Sequence, residues 1–159
     1  MADTLVDFAV IVFREDSQWQ VGSLPHRAAE SLTALMQAVR QQPSEGPSFA
    51  LCSYGDDFFL ALRPDGDEVR LMISDAGAAN EWPIAEQVMA AVDEDVADDE
   101  DEVEPAGDLD IFADVGMDAM ELSAVCSDLE LYPDEMLGRV AARIGFGAQF
   151  EQAVGDDLA

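Results

Sequence analysis

SFALCSYGDDFFLALRPDGDEVRLMI, residues Ser48–Ile73, decides the fold. It contains three apolar runs, SFALCSY, DFFLALR and EVRLMI, separated by two short polar breaks. Gly55-Asp56 reads as a two-residue hairpin loop closed by Tyr54 and Asp57, and RPDGDE carries the Pro-Asp-Gly order of a tight turn. Connections this short can join only antiparallel neighbours, because a parallel crossover needs a dozen residues or more. The stretch therefore predicts three strands in a meander, with Cys52 inside as a small buried hydrophobe.

Upstream, VDFAVIVFR (Val6–Arg14) is apolar at both alternating sets of positions, the pattern of a central strand. SQWQVGSL (Ser17–Leu24) reads as its partner, joined by a tight turn around Glu15–Ser17. A helix with Pro25 in its first turn follows, carrying Leu32, Leu35, Met36 and Val39 on one stripe and ending at Pro43 and Gly46. A second helix begins near Pro83 and carries Ile84, Val88 and Val92 on one side. The class is α+β, an antiparallel sheet with two helices in the order strand, strand, helix, three strands, helix. That order resembles the longin and roadblock class of interaction domains.

Farther on the period becomes helical. Asp118 and Glu121 have capping-box spacing before the stripe Leu122, Val125, Cys126 and Leu129. Pro133, Asp134 and Glu135 open another helix, which carries Leu137, Val140, Ala141 and Ile144 and stops at Gly145. A last turn adds Phe150 and Val154, and Met117, Met120 and Met136 are expected in the core. Short amphipathic helices need an apolar surface to cover. The pattern leaves open whether these pack on the sheet or form a separate unit.

Between the two patterns lies DEDVADDEDEVE (93–104), nine acids in twelve positions, followed by Pro105 and Gly107. Such a block repels itself. It divides the chain into an α+β part (1–92), an acidic flexible linker (93–107) and a helical C-terminal segment (108–155). Those nine acids are about a third of the formal net charge of −28, so both flanking parts are acidic as well. With 35 acids, seven arginines and no lysine, direct binding to nucleic acid or to an anionic membrane is excluded, since both require cations to neutralise phosphates. A basic protein partner is the ligand this charge permits. Solubility in a salt-adapted cell, with no specific partner, is the competing explanation.

No apolar run approaches the roughly 20 residues a membrane helix needs. The front end carries Asp3 and Asp7 and no base before Arg14, the opposite of a secretory signal, so the expected location is the cytoplasm. Tyr54-Gly55-Asp56-Asp57 resembles the metal-binding hairpin of viral RNA polymerases. Polymerase chemistry also needs carboxylates from separate strands and cations for a triphosphate, and this chain is too short and too acidic for that. The acidic run lacks the spaced oxygens and central glycine of a calcium loop. His26, the single histidine, has no second His or Cys nearby. No catalytic residue, metal site or cofactor is expected, and an enzyme of unrecognised type is the remote alternative.

FREDSQWQVGSLP, DDFFLALR, the acidic break, and above all PAGDLDIFADVGMDAMELSAVCSDLELYPDEMLGRVAARIGFGAQFEQAV resemble the tRNA adenosine deaminase-associated proteins of high-GC Gram-positive bacteria. The resemblance implies association with a deaminase and brings no catalytic residues. The chain is not itself a deaminase by its chemistry, because that reaction needs a His-x-Glu and a Pro-Cys-x-x-Cys segment, whereas His26 precedes Arg27 and Ala28. What remains is an accessory role, as regulator, stabiliser or tRNA mimic, on an enzyme whose tRNA-binding surface must be basic. The expected contact residues are Asp114, Asp118, Tyr132, Asp134 and Glu135, with the two C-terminal helices setting carboxylates beside exposed parts of Tyr132 and Met136. The plainer reading is that these acids cap their helices.

Overall fold

A computed structural model describes residues 6–55, 57–92, 105–128 and 130–158. Six strands, β1 (Val6–Glu15), β2 (Gln18–Ser23), β3 (Phe49–Tyr54), β4 (Phe58–Asp65), β5 (Glu68–Ile73) and β6 (Ala106–Gly107), form one antiparallel sheet in the order β2-β1-β3-β4-β5-β6. Its helices are α1 (Leu32–Gln41), α2 (Pro83–Val92), α3 (Ala119–Cys126), α4 (Pro133–Ile144) and α5 (Gly147–Leu158). The class is α+β, as the periodicities indicate.

Strand side chains alternate between faces, and here both faces are apolar. Ala9, Ile11, Ala50, Cys52, Leu60 and Leu62 lie on one, with Leu35 and Val39 of α1 and Ile84, Ala85 and Val88 of α2 packed over them. Phe8, Val10, Phe49, Leu51, Phe59 and Ala61 lie on the other, covered by Ile111 and Phe112 and by helices α3–α5 through Leu122, Leu137, Val140 and Phe150. The C-terminal helices therefore pack on the sheet as a second covering layer. The two-faced apolarity of β1 follows from this sandwich.

Several boundaries differ from the sequence reading. Pro25 does not begin α1; a 3-10 turn spans His26–Glu30, and Ser31 caps α1 by accepting from the Ala34 N–H at 3.1 Å. A serine oxygen satisfies an orphan N–H of the first turn, which proline cannot do. The second hairpin is tighter than RPDGDE implied, with Gly66 and Asp67 between the paired Asp65 and Glu68. β4 runs through Pro64 because its pairing with β3 ends at Leu62, so the missing N–H removes no ladder bond there. Between β3 and β4, Tyr54 pairs with Phe58, which makes the loop three residues long, with Gly55 at φ +58°. Asp56, Leu129 and residues 93–104 of the expected linker lie outside the described residues.

The end of that expected linker is sheet. Ala106 and Gly107 pair with Ile73 and Met72 as β6. Gly107 has φ +93°, and a Cβ there would sit 2.3 Å from the Leu71 carbonyl oxygen, so the close approach of the two backbones requires glycine. Met117 and Met136 are buried as expected, but Met120 is 82% exposed. It falls on the solvent side of α3, whose buried residues are Leu122 and Cys126. Among the described residues no helix is long and apolar enough to cross a membrane.

Candidate functional site

Tyr54 and Asp57 of the polymerase-like tetrapeptide are absorbed by the fold. Tyr54 is buried, its ring stacks 4.6 Å from Phe58, and its hydroxyl donates to the Ala29 carbonyl at 2.7 Å. The Trp82 indole packs edge-on against both rings and donates from Nε1 to the Asp57 carboxylate at 2.6 Å. Asp57 thus anchors α2 to the hairpin rather than standing as a free turn carboxylate. Among the described residues no group of three or more His, Cys, Asp or Glu is placed to hold a metal ion. Burial pushes the Cys52 and Cys126 thiols up to about 12, so neither is a thiolate nucleophile at neutral pH.

The five expected contact residues divide between two ends of α4. The Asp118 carboxylate caps α3 by accepting from the Glu121 N–H at 2.9 Å, and the Asp118 N–H reaches back to Glu121. The Glu121 carboxylate accepts from Arg143 at 2.5 Å, which holds the start of α3 against the last turn of α4. Asp114 lies at this end as well, bidentate to Arg63 at 2.7 and 2.8 Å. Asp134 and Glu135 start α4, so they lie about 12–14 Å from Arg143 along the helix at 1.5 Å per residue. There Glu135 accepts from the Tyr132 N–H at 3.0 Å and the Tyr132 side chain is 57% exposed. Met136 is buried instead of flanking it, because it shares the inward stripe of Leu137 and Val140.

Charge pairing gives these ends different characters. The Arg63 guanidinium holds the Asp114 carboxyl below its ordinary value, and Arg143 does the same to Glu121. Both carboxylates are engaged within the chain. At the α4 start, Asp134 and Glu135 are exposed beside an exposed aromatic, and neither forms an ion pair among the described residues.

The sequence reading missed the arginine clamp at the end of β4 and β5. Arg63 and Arg70 face each other across the hairpin, and like charges so placed repel. Each is met from the segment after β6. Arg63 bonds Asp114 and the Ile111 carbonyl, and Arg70 bonds Asp108 at 2.6 Å and the Asp110 carbonyl. The signal was available in R63-P-D-G-D-E-V-R70, which brings two arginines together once the turn is drawn.

A family model described as Rv3753c-like tRNA adenosine deaminase-associated protein matches residues 7–147. The chain is 34% identical over 156 residues to Protein Rv3753c of Mycobacterium tuberculosis (strain ATCC 25618 / H37Rv), covering 96% of this chain and 90% of that protein. No solved structure matches it.

Proposed function

The chain belongs to the Rv3753c-like tRNA adenosine deaminase-associated family, and from that premise we propose that it is a non-enzymatic cytoplasmic accessory protein. Its acidic surface docks on a basic, RNA-handling partner, the tRNA adenosine deaminase to which the family description points. The observation that supports this is where the few cations go. Of seven arginines, Arg14 and Arg40 bond backbone carbonyls and Arg63, Arg70 and Arg143 bond the chain's own carboxylates. Asp134 and Glu135, exposed and without an ion pair among the described residues, are left to an external cation. Tyr132, Asp134 and Glu135 form the leading contact, where an exposed ring beside oriented carboxylates suits a partner arginine. Asp114 and Asp118 contribute field at the other end of α4.

The test is titration calorimetry of the chain into the purified tRNA adenosine deaminase of the same genome. Saturable binding that weakens with added salt is expected. Asp134→Asn combined with Glu135→Gln should weaken it by more than about tenfold, or 1.4 kcal/mol, while Tm moves little because Gln keeps the acceptor for the Tyr132 N–H. A lowered Tm with unchanged affinity would make these acids helix caps only. Absence of binding would leave the acidity to solubility.

A further inference from the structure

One edge of the sheet is open. The β1–β2 turn holds Asp16 and Ser17 at φ +54° and +63° between the paired Glu15 and Gln18, a two-residue hairpin whose closing pair is hydrogen-bonded. Pairs then alternate, so Phe13–Gln20 and Ile11–Gly22 exchange backbone bonds, while Trp19, Val21 and Ser23 turn their N–H and C=O groups outward. The Gln149 side chain donates to the outward Trp19 carbonyl at 3.2 Å, which fixes that phase independently. Among the described residues the Trp19 N–H and both backbone groups of Val21 and Ser23 have no hydrogen-bond partner.

Natural sheets blunt such edges with charge, proline or a bulge. Here Ser17 through Leu24 contains no charged residue and no proline, in a chain that is 26% charged. On the first face a groove of about 660 Å³ begins at Leu24 and Pro25, directly after β2, and runs along α1 past Ala34, Ala38 and Gln41. None of the residues lining it is acidic, and its one charged residue is Arg27. Gly22 puts no side chain between this groove and the edge.

We propose that the β2 edge and this groove receive an extended segment of another protein, which adds a seventh strand. The unpaired N–H and C=O groups define a strand as the ligand. The carboxylate-free groove selects neutral, apolar side chains at alternate positions, and Glu15 and Asp16 at the turn select a basic residue at the end of the segment beside them. An antiparallel segment presents its C-terminal end there. The assignment rests on the chain being a binding protein, not on which protein it binds.

The probe is acetyl-Thr-Val-Thr-Val-Thr-Arg-Arg-amide, titrated into the ¹⁵N-labelled full chain to about 5 mM, since strand pairing alone gives affinities near the millimolar range. The Trp19, Val21 and Ser23 amides should shift and exchange more slowly, while Gln20 and Gly22, already in the ladder, change little. Val21→Pro and Ser23→Pro each remove one outward donor and leave the β1–β2 bonds in place; each should weaken binding by about tenfold or more in a protein whose thermal unfolding shows it folded. No shift at those three amides, equal shifts with an all-arginine heptapeptide, or full binding by both proline variants overturns the proposal. Concentration-dependent dimerisation abolished by Val21→Pro overturns it in favour of a second copy at the edge. Peptide binding without deaminase binding refutes only the proposed partner, and deaminase binding undiminished in the proline variants refutes only the edge as its dock.

Discussion

On the first face of the sheet, α1 and α2 lead directly into or out of the strands they cover, and their apolar stripes need only fold back a few residues. The second face is covered by residues that begin at Ile111, far along the chain from Phe8 and Phe49. Chain connection positions the first layer at little entropic cost, whereas the second must close a long loop and find its register. The difference shows in what holds each layer. Around Phe49 on the second face, Trp19, Phe112 and Phe146 lie at 5.8, 5.2 and 5.9 Å, and Arg63 and Arg70 grip the incoming segment. The first face has Tyr54, Phe58 and Trp82, and there Arg40 of α1 reaches the Gly66 and Glu68 carbonyls of the β4–β5 turn. The remote cover is gripped through arginine–carboxylate pairs, the tethered one through arginine–carbonyl and indole–carboxylate bonds.

The strongest way to break this contrast is Phe112→Ala. Truncating a fully buried aromatic in the second layer should destabilise the fold by about 3–5 kcal/mol, measured by urea unfolding. A cost near 1 kcal/mol would show that the second layer is not cooperative with the sheet. Asp114→Asn is the intermediate case, expected to cost about 1–2 kcal/mol by leaving Arg63, with only 12% of its side chain exposed, without a carboxylate. Solvent screening at the half-exposed Asp114 keeps the loss below that of a fully buried pair.

The same pair sets a pH dependence. Because the Asp114 carboxyl is held below its ordinary 3.8 in the fold, its contribution is complete above that value and is lost as pH falls through the lower folded one. Mutual repulsion among the acids acts oppositely, and so does Asp75, whose carboxyl burial pushes up; that contribution is present in acid and lost as pH rises through the folded value. Melting temperature should therefore rise on mild acidification from neutrality and collapse only in strong acid, with the collapse arriving at higher pH in Asp114→Asn. The smallest effect is at Met120. Met120→Gln should change stability by less than about 0.5 kcal/mol, which separates an exposed methionine on the second layer from the buried Met117 and Met136.

What could be read from the sequence was local. Val6–Arg14 declared a central strand through its two apolar phases, and Asp118 with Glu121 declared a cap, because both depend on near neighbours. Pro25 misled, since a proline suited to a helix start hid the serine six residues later that caps α1. Arg63–Asp114 and Arg70–Asp108 join residues about 40 to 50 positions apart, and β6 is two residues with no strand propensity, made possible by one glycine. The expected contact residue Tyr132 is exposed as anticipated, whereas Met136, expected to be partly exposed beside it, follows the inward stripe. The division of the acids between two ends of α4 came from an arginine, Arg143, that helical spacing alone does not assign.

The two-residue strand β6 closes the outer side of β5 at Met72 and Ile73, and the Asp108 N–H continues to the Leu71 carbonyl. The sheet therefore has unlike margins, the six-residue β2 at one and the two-residue β6 at the other. Head-to-tail growth into a fibre needs both margins, because each incoming copy must offer a fresh acceptor for the next. Two copies paired through β2 would each leave β6 outermost, a two-residue strand too short to seed a further ladder.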